Sequence, residues 1–251
     1  MFIFPSGIPS GAGGYQPAGA LFFDGSADYL KFTPSSTTGN KKFTFSCWLK
    51  KVTVSASGTI FSAWTNDTNR SAITIENTGF LDLLSDVSNT RHSDLHTTSK
   101  YLDPTAWFNL ILVYDSTVST PSGSSIFFMI NGTKVVEGGY GELDAHDYPT
   151  QNQVTQWLTA GTEMVIGMNN YGNSPQIFYN GYMADAILLD GVASTDGSEF
   201  GETSSSGIWV PKDPSDISSF GTNGFWLDFS DGSNIGNDVS GNNNDFTPTS
   251  M

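Results

Sequence analysis

The chain has a single cysteine, Cys47, in 251 residues, so it can form no internal disulfide and holds no CxxC or Cys/His cluster for a structural zinc. Cations are also scarce: ten Lys or Arg stand against 25 Asp or Glu, a formal charge of −15. A field of that sign repels nucleic-acid phosphates and anionic membranes, which excludes nucleic-acid binding. No apolar run approaches the roughly 18 residues needed to cross a bilayer, and the apolar N-terminus lacks the basic start of a signal peptide. Neither membrane insertion nor targeting is expected. No P-loop, GxGxxG or nucleophile elbow follows a strand pattern, so nucleotide and nucleophilic chemistry have no foothold.

What is abundant is glycine, 27 residues, with Ser, Thr and Asn throughout, a mixture that disfavours helices and suits strands joined by tight turns. The composition is all-β, and the length suits one large domain, or one plus part of a second. Runs rich in aromatic and β-branched residues, bounded by turn residues, predict strands at 20–23, 29–32, 43–50, 58–63, 71–76, 80–85, 107–114, 126–130, 134–137, 164–167 and 182–189. Between Phe43 and Leu49 the residues Phe43, Phe45, Cys47 and Leu49 alternate with Thr44, Ser46 and Trp48, the period of two that a buried face requires. Trp48 falls on the other face, which implies a cover there as well. Asn131-Gly132 predicts a two-residue hairpin, because both central positions of a type I′ turn need positive φ.

Residues 1–19 are too rich in Gly, Pro and Ser for a central strand and read as an extended arm. Its apolar residues Phe2, Ile3 and Phe4, with Tyr15, suggest docking onto its own domain, a sister copy or a larger assembly; a floppy terminus is the alternative. Residues 20–198 form the sandwich. The stretch Gln151 to Thr159 suits one short helix, and 199–223 reads as a Ser, Gly and Pro-rich linker. Residues 224–251 form a C-terminal extension.

The segments ALFFDG (20–25), FTFSCW (43–48), WFNLILVYD (107–115), FMING (128–132), MVIG (164–167) and YNGYMADAI (179–187), in this order, resemble the laminin-G-like or concanavalin A-like jelly-roll family, which includes pentraxins. The resemblance covers about residues 20–193 and implies two stacked antiparallel sheets with variable binding loops at the rim. The tail, GFWLDFSD (224–231) with DVSGNNNDF (238–246), is similar to the segment that often opens such a module, and to segments of virion proteins of bacterial viruses, especially marine ones. It supplies a returning edge strand or begins a second module.

The family resemblance implies a calcium loop after Met164–Gly167. Here that loop offers amides alone, whereas calcium takes six to eight oxygens, several of them carboxylates. No cofactor is expected, with calcium only a lesser alternative. Asn169, Asn170, Tyr171 and Asn173 are instead glycan-binding candidates, against the reading of an ordinary turn. Trp64, entering the polar loop with Asn66, Asp67 and Asn69, and Trp157, in the long connection 138–162, are candidate aromatic platforms; core packing is the competing reading for Trp64. Trp48 and Trp107 match buried strand positions. Glu142, Asp144 and Asp147 form the nearest match to a glucanase acid set, but their flanking glycines and Pro149 read as a loop. His92, His96 and His146 read as solvated loop residues.

The expectation is a non-enzymatic virion surface protein of a bacteriophage. It is a lectin-like adhesion module of a tail fibre or appendage contacting host-surface glycans, homo-oligomeric, made in the host cytoplasm and extracellular when mature. The alternatives are a capsid decoration protein anchored on other virion proteins by its arm and, third, a polysaccharide depolymerase using Glu142, Asp144 and Asp147.

Overall fold

The computed structural model describes residues 2–3, 7–8, 14–137, 143–171 and 174–251, with backbone alone at 2, 3, 144, 145 and 171. In chain order the strands are β1 (Phe2–Ile3), β2 (Ala20–Asp24), β3 (Tyr29–Phe32), β4 (Lys42–Lys51), β5 (Gly58–Asn66), β6 (Asn69–Ile75) and β7 (Leu81–Val87). They continue with β8 (Thr90–Thr97), β9 (Phe108–Asp115), β10 (Ile126–Ile130), β11 (Thr133–Lys134), β12 (Leu143–Asp147), β13 (Glu163–Ile166) and β14 (Asn169–Tyr171). The last are β15 (Ser174–Gln176), β16 (Asn180–Asp190), β17 (Gly201–Thr203), β18 (Trp209–Pro211), β19 (Phe225–Leu227) and β20 (Thr247–Thr249).

Two eight-stranded antiparallel sheets build an all-β jelly-roll sandwich. The first is ordered β1-β2-β16-β4-β9-β10-β11, with β19 also paired to β16; the second is β12-β8-β7-β6-β5-β13-β3-β20. The alternation expected in β4 holds: Phe43, Phe45, Cys47 and Leu49 join the core between the sheets, and Trp48 lies in a separate outer cluster. The Asn131-Gly132 hairpin forms as expected, with φ of 49° and 73° and Ile130 paired to Thr133.

The outer face of the first sheet is covered by the N-terminal arm and by residues 199–223. The backbone of Phe2–Ile3 pairs with Leu21 and Ala20 of β2, and Ile8 is buried against Trp48, Trp107 and Ala184. Phe4 lies outside the described residues. Residues 199–223, expected as a linker, are a folded flap instead: β17 pairs with β18, and Phe200 and Phe220 bury onto Ile111, Val113, Phe127 and Leu189. Its polar composition hid a few well-spaced apolar residues that suffice to anchor it.

On one side β16 pairs with β4 along most of its length. The other side is shared, β2 pairing with 180–183 and β19 with 186–188. The C-terminal extension is therefore a returning strand of this same sandwich, and its end, β20, pairs with β3 of the second sheet. At the seam between β2 and β19 the ladder bulges and Asp185 takes a left-handed φ of 43°. Its buried carboxylate accepts hydrogen bonds from Tyr15 Oη and Trp226 Nε1, each at 2.9 Å. Arm, central strand and C-terminal extension thus meet at one residue.

Three further expectations need correction. Gln151 to Thr159 forms turns rather than a helix: Asn152 and Leu158 have φ near +60°, and Thr155 N donates to Asn40 O at 2.8 Å. Leu143–Asp147 is a strand, β12, paired with β8 rather than a loop. His92 and His96 lie on β8 and His146 on β12, because outward positions of an edge region tolerate polar side chains.

Candidate functional site

At one end of the sandwich the chain crosses from β8 to β9 through residues 98–107. Tyr101 N donates to Gly79 O at 2.8 Å, and Gly79, at φ +95°, lies under Leu102 where a Cβ would collide. Asp103, before Pro104, turns the chain by accepting from Thr105 N at 2.8 Å and Thr105 Oγ1 at 2.6 Å. Those bonds, the hydroxyl's first, hold its carboxyl below the usual carboxylate range. Across from this connection stands the Asn131-Gly132 turn, where Asn131 Oδ1 accepts from Asn109 N at 2.8 Å.

Between them opens a cleft of about 320 Å³. Tyr101, Trp107 and Phe108 form its apolar side, and Lys100, Asp103 and Asn131 its polar side. Tyr101 stacks on Phe108 with centroids 5.5 Å apart and an interplanar angle of 29°. Trp107 is mostly buried, backed by Ile8 and Trp48, so the N-terminal arm supports one wall. Aromatic rings with polar groups converging at the edge suit a ligand with one apolar face and a hydroxylated periphery.

The residues singled out from sequence do not converge on this cleft. Trp64 lies in β5, two residues before its end, half-buried and opposite Arg70 and Glu163. Asn66 Oδ1 accepts from Thr68 N, Thr68 Oγ1 and Asn69 Nδ2 at 2.7–3.0 Å, so the turn holds itself closed; Asp67 is exposed. Trp157 is no platform: it is fully buried, stacked on Phe61 at 5.5 Å and edge-on to Phe43. Asn169 is buried and Asn170 half-buried in β14, where the segment expected as a turn forms a small hairpin with β15. Tyr171 contributes only its backbone to the description, and Asn173 lies outside it.

The calcium implied by the pentraxin likeness does not fit this donor set. Asn169 Oδ1 is buried without a partner, but among the described residues no group of three His, Cys, Asp or Glu side chains is placed to hold a metal. Glu142 lies outside the described residues and Asp144 is described by backbone alone; Asp147 is exposed opposite Asp94. The acid set therefore offers no measurable carboxylate pair.

Residues 24–196 match the family model of the concanavalin A-like lectin/glucanases superfamily. The chain belongs to this superfamily. No curated protein sequence matches it. Among solved structures, this lectin/glucanase sandwich is similar to a "putative carbohydrate binding protein" from Bacteroides ovatus, with TM-score 0.51 and 15% identity over 91% of this chain and 57% of that one. It is also similar to a heptameric SAP-like pentraxin from Limulus polyphemus (TM-score 0.49, 16% identity, 70% and 78% covered). A third is the LG4-5 pair of mouse laminin alpha1 (TM-score 0.47, 12% identity, 75% and 48% covered). At these identities the likeness concerns the fold alone.

The cleft was missed in sequence because its members come from separate places: Lys100 to Phe108 and the turn at Asn131. Tyr101, Asp103-Pro104 and Trp107 close together outside a strand was the available signal.

Proposed function

We propose that this chain is a non-catalytic glycan-binding module displayed on a bacteriophage virion surface, and that the cleft of Tyr101, Trp107 and Phe108 takes the sugar. The cleft's pairing of ring faces with Lys100, Asp103 and Asn131 carries the reading. A pyranose lays its C–H face on the rings while its hydroxyls meet the ammonium, the carboxylate and the amide. Single sites of this kind bind weakly, and presentation in several copies raises avidity without new contacts. The virion setting rests on the likeness of residues 224–246 to segments of virion proteins.

The test is glycan-array binding followed by titration with the best neutral oligosaccharide. Asp103→Ala and Tyr101→Ala are expected to weaken it at least about tenfold, which corresponds to 1.4 kcal/mol. Unchanged affinity in both variants would overturn the assignment, and release of reducing ends would replace binding with hydrolysis.

A second reading, a capsid decoration protein clamped by its arm, is favoured by the pairing of Phe2–Ile3 backbone at the edge of the first sheet, a geometry that a neighbouring copy's edge could also accept. Deleting residues 1–19 then abolishes virion incorporation while glycan binding is absent.

A further inference from the structure

Of the ten cationic side chains in this acidic protein, Lys31, Lys42, Arg70 and Arg91 each meet a carboxylate within 3.2 Å. Of the other six, Lys51 and Lys134, the latter on β11, are the two that burial pulls below the usual lysine range; Lys51 donates to Ala56 O at 2.8 Å, whereas Lys134 has neither a carboxylate nor a hydrogen-bond acceptor among the described residues. The Lys134 Nζ lies 3.6 Å from the centre of the Phe127 ring. With 25 acidic residues in the chain, a partly dehydrated cation left without a counter-charge is an unbalanced arrangement, only partly relieved by the ring.

Lys134 and Phe127 border a cavity of about 390 Å³ on the outer face of the first sheet. Val113 and Phe127 contribute its apolar lining, and the chain leaving β16 closes it at Ala193 to Thr195. The Lys42–Asp115 pair, at 3.2 Å, and the hydroxyls of Ser124 and Thr195 complete its polar lining. Phe127 and Asn131 are four residues apart on β10 and its turn, so this cavity is separate from the aromatic cleft by about 13 Å of strand.

We propose that this cavity binds a carboxylate-bearing sugar residue, with Lys134 supplying the counter-charge. The ammonium meets the carboxylate, and Lys42, Asp115, Ser124 and Thr195 meet the sugar's hydroxyls. At this cavity Lys42 is matched by Asp115 and Lys134 is the single ammonium without a carboxylate, which suits a monoanion. This site extends the glycan-binding reading but does not depend on the cleft.

The experiment is titration of the full chain with glucuronate and, separately, glucose, followed by backbone NMR shifts. Glucuronate is expected to bind with shifts centred on Val113 and Thr195, more weakly in higher salt; glucose is not. Lys134→Gln should weaken glucuronate at least about tenfold, while Asp103→Ala leaves it intact, so failure of the cleft and failure of this cavity are told apart. Equal binding of glucose and glucuronate, an unchanged affinity in Lys134→Gln, or shifts centred on Tyr101 would each overturn the proposal.

Discussion

The two sheets differ most on the faces turned away from the core. On the first sheet the outward residues of β9, β10 and β16, Ile111, Val113, Phe127, Met129, Ile187 and Leu189, are apolar and buried under the flap, while Trp48 and Ala184 lie under the arm. On the second sheet the outward positions of β6, β7 and β8 carry Arg70, Asp82, Asp86, Arg91 and Asp94 beside Ala72, Thr74 and Leu84. Arg70 Nε reaches Asp86 at 2.9 Å and Arg91 Nη1 reaches Asp94 at 2.8 Å, pairs that neighbour each other across the strands. The contrast shows that an outward residue reports its cover: apolar where distant chain returns to bury it, charged where water does.

The largest test of that contrast is Trp48→Ala. If the arm and Trp48 form a second core, removal costs about 3–5 kcal/mol in denaturant unfolding; a loss below about 1 kcal/mol would make the first sheet's face no different from the second's.

A smaller effect concerns pH. Burial pushes the Asp185 carboxyl up to about 7 against its bonds from Trp226 and Tyr15, and burial with Asp94 and Glu76 nearby pushes Asp82, on the charged face, up to about 7 as well. Both carboxyls hold a proton more tightly folded than unfolded. Their stabilising contribution is therefore complete below about pH 4 and is lost as pH rises through 7, at up to about 1.4 kcal/mol per pH unit per group. Thermal unfolding should accordingly occur at lower temperature at pH 8 than at pH 5, and Asp185→Asn should reduce the drop by being the more stable protein at pH 8. A variant with the same slope as the parent would remove Asp185 from the account.

The smallest expected effect is Arg91→Gln, which breaks ion pairs at the wet face. It should cost less than about 1 kcal/mol and still less in high salt. A larger, salt-insensitive loss would show that the charged face is a built structure too.

The legible parts of the fold were those in which one face of a strand is uniformly apolar, as in β4, or in which a turn requires positive φ, as at Asn131-Gly132. β8 escaped because its inward residues are Ser93, Leu95 and Thr97, and only one is a large apolar group. Ser93 can be buried because its hydroxyl lies 3.2 Å from that of Tyr114, and Ser71 and Ser85 pair similarly at 2.8 Å. Trp157 looked like a rim platform because Gln and Thr surround it in sequence, yet Thr155 donates through both N and Oγ1 to Asn40 O and Gln156 N donates to Ser71 Oγ, while the indole enters the core. Of the candidate binding residues, Trp64 and Asn66 to Asn69 do share the β5–β6 hairpin, whereas the cleft depends on a crossing connection and a hairpin brought together only by tertiary packing.

The placement of β16 also orders events in time. Met183 pairs with Leu21 and Leu188 with Phe45, so the strand that joins β2 to β4 is synthesised long after both. Until it emerges from the ribosome, the first sheet has a gap in its middle, with two unpaired edges facing each other. Closing it requires contacts between positions far apart in the chain, which makes folding slow, and a nascent or truncated chain ending before Asn180 is the species most prone to aggregate.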